Sequence, residues 1–167
     1  IGNPPYNRQQ EYYDQNNANR SYRQIDEAIK DTYIRLGTAQ NKSPVYDMYT
    51  RFFRWASGRL HDDGVIAFVT NSAYIGKAAF DGFRKSLIED FSEIYMVDLG
   101  GDVRANPKLS GTKNNVFGIQ IGVAIIFLVK RRKLEERKIY YARRPEMDSA
   151  EDKLFWLSSN RFSSISF

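Results

Sequence analysis

The sequence predicts an α/β fold whose mostly parallel sheet is closed by an antiparallel strand. Three observations lead there. Helical periodicities alternate with short apolar runs, as crossovers between parallel strands require. Two of these runs, Val65 to Thr70 and Ile94 to Leu99, are apolar at nearly every position and bounded by turn residues, the pattern of strands covered on both faces. The last run, Ile121 to Val129, follows its predecessor with no helical period in between, so the chain lacks a crossover that would let it return parallel.

Taken in order, residues 7–20 are rich in Gln, Asn, Tyr and Arg without an apolar period and read as a mobile loop. Ser21-x-x-Gln24 has the form of a capping box, and Ile25, Ala28, Ile29 and Leu36 share one face of a helix over 22–36 that Gly37 terminates. Asp47 opens a second helix with Met48, Phe52, Trp55, Ala56 and Leu60 as its core stripe. Asp62-Asp63-Gly64 turns into the first buried strand, which Asn71-Ser72 ends. A third helix spans about Ala78 to Asp90, with Phe80, Phe83, Leu87 and Phe91 inward. Gly100-Gly101 stops the second strand, and Asp102 to Asn115 is an aperiodic loop rich in Gly, Asn, Pro and Lys. Lys130-Arg131-Arg132-Lys133 marks the exit of the last strand into solvent.

Composition bounds the chemistry. The 167 residues, 42% hydrophobic and 14% aromatic, suffice for one globular domain. With no cysteine there are neither disulfides nor thiolate metal sites, and the lone His61, in a solvated helix end, leaves no zinc set or serine triad to propose. No metal site is expected. The net charge of +5 is compatible with a polyanionic partner. No apolar stretch is long enough for a bilayer and no secretion signal is visible, so a cytoplasmic setting is expected.

The most chemically suggestive segment is Ile1-Gly2-Asn3-Pro4-Pro5-Tyr6. The Asn3 side chain offers a carbonyl acceptor, and the main-chain carbonyl of Asn3 or Pro4 offers a second. Proline fixes φ near −65° and holds the preceding residue extended, so both acceptors keep a set direction. Two acceptors on one exocyclic amine draw its protons and leave the nitrogen lone pair available for attack, while Tyr6 supplies a stacking face. Asn-Pro and Pro-Pro also mark ordinary turns, and the tetrapeptide alone is compatible with one.

This hexapeptide resembles the catalytic motif of the amino-methyltransferases that act on adenine in DNA, in which Asn-Pro-Pro-Tyr follows the fourth sheet strand and S-adenosylmethionine supplies the methyl group. The resemblance covers most of residues 1–132. Tyr46-Asp47-Met48-Tyr49, Arg54-Trp55-Ala56, Asp81-Gly82-Phe83-Arg84 and Asp98-Leu99-Gly100-Gly101 look like the methyltransferase region of large bacterial single-polypeptide restriction-modification enzymes. It implies the C-terminal half of a Rossmann-like methyltransferase fold, with the final strand inserted between its two predecessors. It also implies double-stranded DNA as partner, along with the rest of a parent polypeptide carrying nuclease and helicase-like parts. Residues 1–132 would be the catalytic half, and residues 133–167 a connection toward a target-recognition region.

By the same resemblance, Asn3, Pro4, Pro5 and Tyr6 are the catalytic residues. Asn115-Val116-Phe117-Gly118 matches a late motif that sets an aromatic residue against the flipped base, which makes Phe117 Tyr6's counterpart. Asn71 and Ser72, at the carboxyl end of a strand, are candidates to line the base pocket or to cap the next helix, with Tyr74-Ile75-Gly76-Lys77 behind them. Arg104, Lys108 and Lys113 are candidates for DNA phosphates. Any one of these loop cations also reads as ordinary solvated charge.

The family's glycine-rich cofactor turn and the acidic residue after the second strand precede Asn-Pro-Pro-Tyr and have no counterpart here. Leu99-Gly100-Gly101-Asp102 comes too late and lacks the spacing. The expectation is therefore a fragment of a longer chain, inactive alone. Two rivals stand beside it: an amino-methyltransferase of cytosine, RNA or protein glutamine, and a non-catalytic DNA-binding module. A nuclease built on Glu136-x-Lys138 is a poorer reading, because that pair has no acidic partner in a preceding strand.

Overall fold

A computed structural model of the chain describes residues 1–6, 21–106, 108–109, 111–132 and 136–167. The loop expected at 7–20 lies outside the described residues. One four-stranded mixed sheet organises the rest: β1 (Gly64–Asn71), β2 (Glu93–Gly100), β3 (Val123–Lys130) and β4 (Lys138–Arg143), in the spatial order β1-β3-β2-β4. β3 runs antiparallel to both β1 and β2, while β4 runs parallel to β2. Three strands thus point one way and the inserted third points the other.

The insertion follows from the sequence. Val-Ala-Ile-Ile-Phe-Leu-Val is apolar at every position, and only an interior strand hides both of its faces; Val123, Ala124, Ile126 and Leu128 are fully buried. A loop without a helix leads into β3, so the chain turns back at the end of the sheet where β2 finished. Gly2 extends the sheet beyond β1: its N–H donates to the Ala67 carbonyl (3.0 Å), and the Val69 N–H donates to the Gly2 carbonyl (3.0 Å), forming a parallel bridge.

The helices are α1 (Arg23–Ile29, continued by a π-helical turn Lys30–Ile34), α2 (Met48–Ser57), α3 (Ala73–Gly76), α4 (Asp81–Asp90) and α5 (Ala150–Ser159). α1, α2 and α4 cover one sheet face with a core that includes Ile29, Tyr33, Tyr49, Phe53, Phe83 and Leu87. Phe53 is its hub, meeting Phe68, Tyr74 and Phe83 edge-on at 5.1, 5.8 and 5.2 Å between centroids. On the other face Val97, Leu99 and Val123 pack with Trp156, Leu157, Ile165 and Phe167 from the C-terminal segment. No helix among the described residues is long and apolar enough to cross a membrane.

The structure corrects several expectations. The antiparallel strand is third of four, since residues 138–143 form a further strand and α5 follows it. That edge strand leaves Ile139 and Tyr141 substantially exposed and carries no apolar run. The capping box at Ser21 does not form: Tyr22 is the N-cap, and its N–H donates to the Asp26 carboxylate (2.9 Å), which Arg51 holds bidentately (2.7 and 3.1 Å). In α2 the core stripe is Tyr49, Phe53 and Ser57, whereas Phe52 and Trp55 face outward. The helix has two apolar faces, and its periodicity alone does not choose between them.

Where α4 meets the end of the first helical segment the backbones almost touch. A Cβ on Gly82 would lie 1.9 Å from the Tyr33 carbonyl and 2.5 Å from the Gly37 nitrogen. Asp81 locks the crossing, accepting from the Thr38 N–H and hydroxyl at 2.7 Å each and from the Gly82 N–H at 2.8 Å.

Two outcomes follow from this crossing. Gly82→Ala should destabilise the fold by roughly 1–3 kcal/mol or more, as overpacking against backbone does, measurable as a lowered urea midpoint. The donors from Thr38 and Gly82 hold the Asp81 carboxyl well below the usual carboxylate range. The folded state therefore binds that proton more weakly than the unfolded chain, so the contribution is fully present above about pH 4, the unfolded carboxyl value, and is lost as pH falls below it. The urea midpoints of wild type and Asp81→Asn should differ most at pH 7 and draw progressively closer as pH falls below about 4; a gap as wide at pH 2 as at pH 7 would refute the assignment.

Candidate functional site

The parallel bridge at Gly2 places Asn3 level with the carboxyl end of β1. Register brings the other ends to the same edge, because Val123 at the start of β3 pairs with both Asn71 and Gly100. The Asn3 turn, Ser72, the end of β2 and the loop leading into β3 therefore share one rim of the sheet. In open α/β sheets this is where ligands bind.

Within the tetrapeptide Asn3 and Pro5 are exposed, Pro4 is buried and Tyr6 is half-buried. The Tyr6 hydroxyl donates to Asn3 Oδ1 at 3.3 Å, a long bond that folds the turn over itself. The Tyr6 ring stands edge-on to Tyr49 at 6.5 Å, which in turn tilts against Tyr74 at 6.3 Å. Burial pushes the Tyr6 phenol up to about 12. At neutral pH it is therefore a neutral aromatic face rather than a proton acceptor. Beneath it, Tyr74 is fully buried and its phenol is raised, first by that burial.

The two candidates that follow β1 part company. Asn71 Oδ1 accepts from the Ala73 N–H at 2.8 Å, so its side chain closes the turn between β1 and α3. Ser72 lines a cleft of about 520 Å³ together with Ile75, Lys77, Asp98, Asn106 and Arg143. Asp98 is almost fully buried there: one oxygen accepts from the Gly100 N–H and the other from the Tyr141 hydroxyl, both at 2.9 Å, with Arg143 at 3.7 Å. Burial and the adjacent Asp98 carboxylate push the Tyr141 phenol up to about 12. With its oxygens occupied, Asp98 serves as an anchor between β2 and β4. Sequence reasoning quoted Asp98 only for its family likeness and missed Tyr141 and Arg143 altogether, although Ile139-Tyr140-Tyr141 carries the β-branched and aromatic signature of a strand.

Phe117 sits on the loop into β3, with about half of its surface exposed. Its N–H donates to Asn115 Oδ1 at 3.0 Å, and the neighbouring Val116 and Ile119 pack on the C-terminal side of the sheet. Tyr6 belongs to the opposite core. Among the described residues no ring contact joins Tyr6 to Phe117. Arg104, Lys108 and Lys113 are exposed on the same loop, and none pairs with a carboxylate among the described residues.

The glycine pair at the end of β2 is left-handed, with φ of 63° at Gly100 and 78° at Gly101. A Cβ on Gly101 would lie 2.9 Å from the Asn114 carbonyl and 3.0 Å from Asn115 Cα. That side of Gly101 is thus filled by protein, whereas Gly100 lines the same cleft as Ser72. No group of three His, Asp or Glu side chains that could hold a metal ion is found among the described residues. Glu136 and Lys138 pair with each other at 3.2 Å on the surface.

A family profile described as Eco57I restriction-modification methylase matches residues 1–104. Among solved structures, the DrdV-DNA complex seen by cryo-electron microscopy superposes with a TM-score of 0.87 at 43% identity, over 99% of this chain and 16% of that one. The ATP-dependent Type ISP restriction-modification enzyme LlaBIII bound to DNA gives 0.86 at 36%, over 95% of this chain and 11% of that one. A nuclease-deletion mutant of the Type ISP enzyme LlaGI with a DNA substrate mimic gives 0.84 at 34%, over 95% and 15%. The chain thus spans between 11% and 16% of the length of these larger proteins. A search of curated proteins finds no match.

The Asp98 anchor has a local consequence. Asp98→Ala leaves Tyr141 OH and the Gly100 N–H without their acceptor, a loss of roughly 1.5–3 kcal/mol for hydrogen bonds to a charged group. Amide exchange in β4 should then quicken by about tenfold or more while that of β1 and β3 is unchanged, as hydrogen-exchange mass spectrometry would report.

Proposed function

We infer that this chain, which belongs to the Eco57I restriction-modification methylase family, is the base-holding half of a DNA adenine methyltransferase working within a longer restriction-modification polypeptide. The observation that carries the inference is the Asn3-Pro4-Pro5-Tyr6 turn leaving the carboxyl rim of the sheet, fixed there by the Gly2 bridge to β1. The DNA complexes among the structural neighbours support DNA as the partner.

In this reading the target adenine leaves the duplex, at a cost of a few kcal/mol of unstacking, and its amine takes the place of the Tyr6 hydroxyl at Asn3 Oδ1. A carbonyl of the proline turn accepts a hydrogen bond from the amine's second N–H. With both protons engaged, the nitrogen lone pair is freed for attack. Tyr6, neutral at working pH, and Phe117 offer the faces that hold the ring, each stacking contact worth roughly 1–3 kcal/mol. Ser72 stands at the same rim, while Arg104, Lys108 and Lys113 meet phosphates and so position the duplex without reading its sequence. Asn71, whose Oδ1 closes the turn into α3, stands beside Ser72 at that rim.

The methyl donor in this reading is S-adenosylmethionine. The Gly100-Gly101 pair comes too late in the chain, and with the wrong spacing, to be the glycine-rich turn that would hold it. We assign it to the remainder of the longer polypeptide. The residues of this chain bind the base, orient its amine and accept its hydrogen bonds.

The test uses the full-length protein and tritiated S-adenosylmethionine. Wild type should label DNA, with the label in N6-methyladenine on nucleoside analysis. Asn3→Ala should lower transfer by roughly 10²–10³-fold, the scale for removing one preorganised polar contact to the reacting group, while DNA binding stays within a few-fold. Label in cytosine, or an active Asn3→Ala variant, would overturn the reading.

A further inference from the structure

Lys153 is among the largest side chains fully buried in the molecule. A buried lysine is rare and costly unless its charge has a task. Its position makes it costlier, since α5 starts behind the Ser149–Asp152 capping box and the helix dipole disfavours a cation so close to the N-terminus. A methionine or leucine would fill the same space without that cost. What the ammonium does is donate to the main-chain carbonyl of Asn114.

Asn114 answers with its side chain. Its Nδ2 donates to the carbonyls of Met147 and Asp148, both at 3.0 Å, in the lead into α5. Two acceptors at one end fix which atom is the nitrogen. A third tie runs back from the Ala150 N–H to the Lys113 carbonyl at 2.9 Å. The next residue, Asn115, faces the sheet: its Nδ2 donates to the Ile121 carbonyl (2.7 Å) and the Gly101 carbonyl (3.2 Å), while its Oδ1 accepts from the Phe117 N–H. Two adjacent asparagines therefore clamp an otherwise irregular loop, one to α5 and one to the rim of the sheet. Phe117 hangs from the second.

We propose that Asn114 and Lys153 are positioning residues for Phe117, holding the base-facing loop in register with the rim from α5. This rests on the assignment of Phe117 to the target base made above. The C-terminal helix then belongs to the base pocket mechanically, although none of its residues touches the base. Because Asn114 and Asn115 share a peptide bond, any shift of α5 reaches the Phe117 amide through a single side chain.

The test is a double-mutant cycle in the full-length protein, using duplexes with 2-aminopurine at the target position. Phe117→Ala should slow methyl transfer and raise 2-aminopurine fluorescence as the base loses a stacking face. Lys153→Met, which keeps the buried stem, should lower kcat by roughly tenfold, leave KM for S-adenosylmethionine unchanged and raise the fluorescence in the same direction. Residues acting through one element do not add, so Lys153→Met with Phe117→Ala should fall within about twofold of Phe117→Ala alone. Asn114→Ala, read the same way, replaces Lys153→Met if that variant does not fold. Losses that multiply, or a folded Lys153→Met or Asn114→Ala variant with wild-type fluorescence, would overturn the proposal while leaving the function intact. A Phe117→Ala enzyme with wild-type rate and fluorescence would instead remove the assignment of Phe117 to the base, and this inference with it.

Discussion

The site depends on one topological constraint, the antiparallel insertion of β3 between β1 and β2. Because β3 begins where those two strands end, the loop that precedes it must arrive at the rim from which the Asn3 turn departs. A parallel third strand would have delivered that loop to the far side of the sheet. The two halves of the candidate site, a proline turn near the start of the chain and an aromatic loop more than a hundred residues later, are brought to the same edge by strand direction.

The layers on either face then divide the work. The helical side supplies a rigid aromatic floor: Tyr6 rests on Tyr49, which belongs to the cluster centred on Phe53. Arg51 with Asp26 and Arg54 with Asp90 tie α2 to its two neighbours, at 2.7 and 3.1 Å. The opposite side is built largely by the C-terminal segment, whose α5 is joined to the Phe117 loop through Asn114 and Lys153. One wall of the site is thus set by packing and the other by hydrogen bonds, which demand specific partners where packing demands only volume.

Much of this was legible in the residues. The runs at 65–70 and 94–99 lie in strands, as does that at 121–129 from Val123 onward, and the missing helical period before the last of them foretold its reversed direction. The Phe80, Phe83, Leu87 and Phe91 stripe is buried as its spacing predicted. What escaped detection did so for physical reasons. β4 is an edge strand with alternating exposure, so it lacks the apolar run that betrays an interior one. α2 carries aromatics on both faces, so the stripe read from period alone joined the outward Phe52 and Trp55 to Ala56 and Leu60, which do pack on the core. Lys153 gave no signal at all, because a lysine in an acidic helix start reads as solvated charge. The Asn114-Asn115 pair was visible, but its use as a double clamp depends on partners of the Asn114 side chain that lie 33 and 34 residues away.

The strand order also bears on how the protein comes to be folded. β1 and β2 do not pair with each other; each waits for β3, whose last ladder partner, Lys130, lies 66 residues beyond Gly64 (130 − 64). A chain emerging from the ribosome can complete its helices early, but it carries two unpaired apolar strands until that residue appears. Such edges are the surfaces on which nascent chains misassociate. The topology that unites the site therefore makes it late to form: the loop that carries Phe117 reaches the rim of the proline turn only when the middle strand, synthesised last of the three, slides between the two that preceded it.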